Sequence, residues 1–150
     1  PGVKNLFQLS KKTCYGLRAL FELALAHGKG PVTTSTIAEK QNIPIPFLEQ
    51  IFYELNKGGI ISSKRGPGGG HRLAKRPEDI KFSDIIQILE GPEFLFDCLG
   101  PEVDLHACKE YSLCPSRLFV NQLARKIKDI FDTFTMTDLI HIWVEEVRKK

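Results

Sequence analysis

No run of residues in this 150-residue chain approaches the ~20 consecutive apolar positions that a membrane-crossing helix needs, so no such helix is expected. The opening stretch PGVKNLFQLSKK has no apolar centre of the kind a secretory signal carries, and without export a disulfide framework for the four cysteines is not expected. The expectation is a cytoplasmic protein whose thiols are reduced or metal-bound. The run Gly66-Pro67-Gly68-Gly69-Gly70 lacks the Gly-Lys-Ser/Thr ending and the following helix of a phosphate-binding P-loop, which excludes that motif. The close Cys-x₂₋₄-Cys pair usual in zinc knuckles is also missing. No base is placed beside a nucleophile, so nothing in the chain requires an enzyme. A net charge of +3 names no partner by itself.

What is present is unevenly distributed. The length fits one domain, or one domain with an attached dimerising segment, and 42% hydrophobic with 26% charged residues is ordinary for a globular chain. From Lys57 to Arg76 there are six Lys/Arg and no Asp/Glu, whereas Glu93 to Glu110 carries five acids against one lysine. The acidic stretch contains Cys98 and Cys108, and Cys114 follows four residues beyond it. Nine residues separate Cys98 from Cys108 and five separate Cys108 from Cys114, with His106 between them. Gly100, Pro101 and Pro115 mark irregular chain there, and soft thiolates on such a loop make a nest for a soft metal or an iron–sulfur cluster.

Taken in order, Ser10 to Ala26 reads as an amphipathic helix with Leu17, Leu20, Phe21, Ala24 and Leu25 inward. Thr33 to Thr36 offers hydroxyls to cap a short helix from Thr36 to Gln41. After a turn, Pro46 suits the first position of a helix running to Lys57, which buries Leu48, Ile51, Phe52 and Leu55 and presents Phe47, Glu49, Gln50 and Tyr53 outward. Two helices joined by a tight turn resemble a helix-turn-helix. Ile60 to Ser63 and His71 to Ala74 then read as two short strands joined by the glycine-rich tip, a β-hairpin wing. Its glycines let backbone approach a phosphodiester while Lys64, Arg65 and Arg72 supply charge. A solvated basic hairpin is the plainer reading, but the helix-turn-helix before it favours DNA.

A helix from Lys81 to Glu90 follows, with Phe82, Ile85, Ile86 and Leu89 inward. Beyond the cysteines, a helix from Ser116 to Phe131 spans ~25 Å at ~1.5 Å per residue. Its stripe of Leu123, Ile127, Ile130 and Phe134 points to a dimerisation element, with intramolecular packing as the alternative. Thr135 and Asp138 form a capping-box-like start to a last helix, Asp138 to Arg148.

Phe47-Leu48-Glu49-Gln50-Ile51, Gly58-Gly59-Ile60-Ile61-Ser62-Ser63 and above all Arg65-Gly66-Pro67-Gly68-Gly69-Gly70 resemble the Rrf family of winged helix-turn-helix iron–sulfur transcription regulators. The resemblance runs from about Leu9 to Leu139. It implies that Cys98, Cys108 and Cys114 bind an iron–sulfur cluster, of two irons or four. The family's regulators of cluster biogenesis take a fourth ligand from a histidine three residues past the last cysteine, and here that residue is Arg117. Cys14 falls where nitric-oxide-sensing members place an aspartate ligand from the partner subunit, which makes Cys14 the candidate fourth ligand, against a small buried thiol. His106 is the alternative.

The expected fold is mainly α: a winged helix-turn-helix head over residues 1–90 with a small two-stranded β wing, a cysteine-rich loop over 91–115, and a long dimerisation helix with a C-terminal helix over 116–150. The expected function is a DNA-binding regulator, homodimeric on a near-palindromic operator, sensing iron–sulfur status, redox or nitric oxide. Gln50 suits adenine and Glu49 suits cytosine N4. Lys64, Arg65, Gly68 and Arg72 serve the wing, with Phe47 and Tyr53 beside the reading pair, and Thr34, Ser35 and Thr36 donate to the DNA backbone. The alternatives are a structural zinc site, with His106 or Cys14 beside the loop cysteines, and a cluster-free disulfide switch.

Overall fold

The computed structural model describes residues 8–91 and 113–150. Cys98, His106 and Cys108, with the expectations attached to them, lie outside the described residues.

Helix α1 (Lys11–Leu25) begins where the Ser10 hydroxyl accepts the amide of Thr13 at 3.2 Å. Its buried arc passes through Thr13, Gly16, Ala19, Leu20 and Leu23. Leu20 and Ala24 of the expected stripe are buried and Leu17 packs against the core, but the arc is centred on Ala19 and Leu23 and leaves Leu25 39% exposed. Gly16 is the reason: a Cβ there would lie 2.5 Å from Leu89 Cδ1, so the missing side chain lets a later helix press in on that row.

Helix α2 (Thr34–Gln41) starts two residues earlier than expected, because the cap is Thr33, whose hydroxyl accepts the Thr36 amide at 3.2 Å. Buried Glu22 of α1 accepts from Lys40 at 3.2 Å and Gln41 at 2.6 Å, which ties α2 to α1. Helix α3 (Ile45–Lys57) carries Pro46 in its first turn and buries Leu48, Ile51, Phe52 and Leu55, as its spacing predicts. Each such side chain contributes about 1.5–3 kcal/mol by leaving water.

Strands β1 (Ile61–Lys64) and β2 (Gly70–Leu73) pair antiparallel, with Ile61 opposite Leu73 and Lys64 opposite Gly70. Ile61 and Leu73 anchor the base of the hairpin in the core. The hairpin is also bonded to the segment before α2: the amides of Val32 and His71 each donate to the other's carbonyl at 2.8 Å. Gly70 is required at this junction. Its φ is +141°, and a Cβ would sit 2.7 Å from the Val32 carbonyl oxygen.

A short 3₁₀ turn (Pro77–Asp79) leads into α4 (Phe82–Leu89), whose Ile85, Ile86 and Leu89 are buried as expected. Helices α5 (Pro115–Asp132) and α6 (Met136–Arg148) follow. Thr135 caps α6 in a reciprocal capping box with Asp138, so that helix starts at Met136 rather than Asp138. The turn between α5 and α6 is stitched to the head: the Phe82 amide donates to the Phe134 carbonyl at 2.8 Å, and the Met136 amide to the Ile80 carbonyl at 3.1 Å. Met136 is buried in the same core as α1, α3 and α4, and Trp143 of α6 packs on Phe21 at 5.1 Å.

Helix α5 has no buried residue within the single chain. Phe131 packs edge-on against Phe82 at 5.0 Å, while Phe119 is 70% and Ile130 57% exposed. Phe134 lies past the end of α5 rather than on its stripe. No helix among the described residues is long and apolar enough to cross a membrane.

Candidate nucleic-acid interface

Phe47, Glu49, Gln50 and Tyr53 all stand on the outer edge of α3, opposite its four buried side chains. Tyr53 is 69% exposed, unusual for a large aromatic without a partner to meet. Phe47 is steadied by an edge-on contact with Tyr15 at 5.7 Å, and Lys11 and Arg18 lie over the Tyr15 ring at 5.5 and 5.6 Å. One end of this outer edge of α3 is therefore propped by α1 and flanked by two cations.

Between α3 and the wing lies an open cleft of about 690 Å³. Glu49 and Tyr53 come to it from α3, Thr34 from α2, and Lys64 and Arg65 from the wing. Thr34, Ser35 and Thr36 form the first turn of α2; the Thr36 amide is taken by the Thr33 hydroxyl, and the Thr34 and Ser35 amides and the hydroxyls of the turn are natural donors to a phosphate oxygen. Gly68 is at the wing tip with φ +70° and nothing within 4 Å of the position a Cβ would take. Arg72 is the exception. Side chains alternate along β2, so His71 faces the cleft and Arg72 the other side of the hairpin, beside His27 and Gly28.

The floor of the cleft is held together by a histidine that no motif in the sequence marks. His71 stacks on Phe52 with ring centroids 4.2 Å apart and planes at 29°. Its Nε2 lies 2.8 Å from the Thr34 hydroxyl, and its Nδ1 2.7 Å from the Ser63 hydroxyl. Ser63 in turn accepts from the Asn56 amide at 2.8 Å. Burial pushes the His71 imidazole below its ordinary value. A histidine in a basic hairpin carries no sequence signal for this role; only the strand alternation that turns it toward α3 could have suggested it.

Of the expected metal ligands, Cys14 and Cys114 lie among the described residues, both as free thiols. Cys14 is exposed on the first turns of α1, so it is not the buried core thiol that was the alternative for it. Cys114 is the N-cap residue of α5. Among the described residues no three His, Cys, Asp or Glu side chains gather closely enough to hold a metal ion.

An exposed second helix of a helix-turn-helix, flanked by a basic, glycine-tipped hairpin, is the architecture of a winged-helix DNA-binding protein. Residues 9–142 match the Rrf2 family model, described as an iron-dependent transcriptional regulator. The chain is 31% identical over 134 residues to the HTH-type transcriptional regulator IscR of Erwinia tasmaniensis, covering 89% of this chain and 79% of that protein. Among solved structures, T. potens IscR superposes with a TM-score of 0.70 at 34% identity, covering 93% of this chain and 90% of that one. CymR of B. subtilis, described as a global cysteine regulator, superposes with a TM-score of 0.65 at 31% identity, covering 89% and 96%. The chain belongs to the Rrf2 family of winged-helix transcriptional regulators, and it is a regulator rather than an enzyme.

Proposed function

We propose that this regulator senses its signal through an iron–sulfur cluster and acts as a homodimer on a near-palindromic operator. The observation that carries the sensing reading is the place of Cys114, a free thiol at the N-cap of α5. A group held by that thiol is held at the end of the helix with the exposed apolar stripe. Cys98 and Cys108 complete a set of three soft ligands suited to such a cluster. Cys14, exposed on α1, is the fourth ligand from the partner subunit, with His106 as the alternative. The cluster supplies a group whose presence depends on iron, oxidants or nitric oxide. The chain's own residues carry the response: the turn that follows α5 is bonded to the head, the Phe82 amide donating to the Phe134 carbonyl, so a shift of α5 at Cys114 reaches the reading helix through that joint.

On DNA, α3 enters the major groove with Gln50 reading adenine and Glu49 accepting from cytosine N4, Phe47 and Tyr53 lying alongside. Lys64, Arg65 and the close-approaching backbone at Gly68 hold the phosphates or minor groove from the wing, and Arg72 reaches phosphate from its outer side. Thr34, Ser35 and Thr36 donate to the backbone from the start of α2.

A disulfide switch without a cluster is the second reading, favoured by the exposed free thiol of Cys14 and the likeness to CymR. Anaerobic purification with iron and sulfide counts and an absorption spectrum separates the readings. Iron and sulfide in the wild type, lost in Cys108→Ala, supports the cluster. Zinc alone replaces it with a structural site, and a metal-free protein that forms a disulfide on oxidation replaces it with the thiol switch. Selection from a random duplex pool tests the operator, and unchanged DNA affinity and signal response in Cys108→Ala rejects the sensing role.

A further inference from the structure

The floor of the DNA-facing cleft is a hydrogen-bonded chain drawn from four elements. Asn56 of α3 donates to Ser63 of β1 over 2.8 Å. Ser63 and His71 of β2 share a bond of 2.7 Å, and His71 and Thr34 of α2 one of 2.8 Å. Phe52 stacks beneath the imidazole at 4.2 Å, so the ring is held in plane as well as at both nitrogens.

Two neutral tautomers satisfy these distances, and they differ in their consequences. With the proton on Nε2, every link runs the same way: Asn56 donates to Ser63, the Ser63 hydroxyl to His71 Nδ1, and His71 Nε2–H to Thr34. Each hydroxyl on the path then accepts and donates, and hydrogen bonds aligned head to tail polarise and strengthen one another. With the proton on Nδ1, Asn56 and His71 both converge on Ser63 as donors, and the Thr34 hydroxyl hydrogen is consumed by Nε2. The aligned chain is the stronger arrangement, and it leaves the Thr34 hydroxyl hydrogen unused. Thr34 is the first residue of α2, where a phosphate oxygen finds backbone donors as well.

We infer that His71 is the positioning residue of the reading face, fixing the wing against α2 and α3 as the Nε2–H tautomer and so keeping the Thr34 hydroxyl free to donate to a DNA phosphate. This deepens the DNA-binding reading and rests on it. The residues that touch DNA are thereby set by one that does not. His71 makes no phosphate contact of its own; it fixes the direction of a neighbour's donor.

The test uses the full chain and the duplex that the wild type retains from a random pool. His71→Phe keeps the ring on Phe52 and the strand pairing while removing both nitrogens, and His71→Gln keeps an amide donor within reach of Thr34. Imidazole nitrogen NMR of the free protein, with His71 assigned by the signal missing from His71→Phe, is expected to show a protonated Nε2 and an accepting Nδ1. The opposite tautomer overturns the inference without reference to DNA. In binding, His71→Phe and Thr34→Val are each expected to lose about tenfold or more in affinity, as for a lost hydrogen bond to a charged acceptor. The double variant is expected to lose no more than either, and His71→Gln to recover most of the loss. Wild-type affinity in His71→Phe, or losses that multiply in the double variant, overturns the inference alone. A wild type that retains no duplex overturns the DNA reading itself and the Thr34 assignment with it.

Discussion

The backbone amide of Ser10, at the start of α1, donates to the carboxylate of Glu90, just past the end of α4, over 2.8 Å. The bond closes the head by joining its first helix to its fourth at the point where the chain departs toward the cysteine segment. Burial opposes ionisation of Glu90, but hydrogen bonds from Thr13 and Ser10 outweigh it and hold the carboxyl below its ordinary value of 4.5. A carboxyl with a depressed folded value stabilises the fold above its unfolded value and loses that contribution as pH falls through the folded one. Glu90→Gln is therefore expected to lower stability by about 1 kcal/mol at neutral pH, with the difference from wild type narrowing in acid. Urea unfolding of both proteins at neutral pH and below 4.5 checks it.

Gln50 and Lys64 are both exposed, but one stands on α3 and the other at the end of β1. Gln50→Ala is expected to cost about 1–3 kcal/mol on the selected duplex and to relax preference at one base pair. Lys64→Ala is expected to weaken selected and random duplexes alike and to reduce the slope of log affinity against log salt by about 1. Titrations of both variants at several salt concentrations separate base reading from phosphate contact.

The reading helix was legible because its signal is local: Leu48, Ile51, Phe52 and Leu55 recur at helical spacing, and that alone places Glu49 and Gln50 on the outside. The wing was legible from its glycines. What was not legible depended on a neighbour far along the chain. Periodicity put Leu20 and Ala24 of α1 inward, as they are, but also Leu25, which is exposed because the buried row is centred by Gly16 meeting Leu89, a contact between residues 16 and 89. His71 likewise acquires its place from Thr34 and Asn56, which sequence order keeps apart. Its backbone bond to Val32 is of the same kind.

Gly68 and Gly70 both have positive φ, +70° and +141°, yet their surroundings differ. A Cβ on Gly68 meets nothing within 4 Å, so Gly68→Ala carries only the backbone penalty of about 1–2 kcal/mol. A Cβ on Gly70 lies 2.7 Å from the Val32 carbonyl oxygen and must break the bridge that seats the wing. Gly70→Ala is expected to be the more destabilising of the two and to lose more DNA affinity. Thermal melts and duplex titrations of the pair test the order, and equal effects would show that the seat at Val32 does not matter.

Phe119 and Ile130 are 70% and 57% exposed on an 18-residue helix that buries none of its own side chains. On the homodimeric reading proposed above, this stripe is the interface between the two copies. Phe119→Glu is expected to shift the protein toward monomer and, because a palindrome needs two heads, to weaken the selected duplex far more than random DNA. Sedimentation of wild type and variant checks the assembly, and an unchanged mass would move the interface away from α5.

His71 gives the protein a pH dependence whose sign follows from its burial. The groups in contact with its ring are Thr34, Phe52 and Ser63, with Asn56 bonded behind Ser63, and none of the four titrates near neutrality. Farther out in the cleft, Lys57, Lys64 and Arg65 disfavour a positive imidazole and Glu49 favours one. Burial sets the direction, and the folded value lies below the ordinary 6.5. As pH falls below 6.5 the unfolded chain takes up a proton at this residue before the folded one does. Stability is therefore lost through that window and levels off once the folded value is passed. Charging Nδ1 also turns it from acceptor to donor, so the Ser63 hydroxyl must reverse and the aligned chain ends there. His71→Phe is expected to flatten the fall in unfolding free energy between about pH 7 and pH 5, the range in which histidine titrates. Urea midpoints of both proteins across that range decide it, and parallel curves would show that the imidazole is not held neutral by its burial.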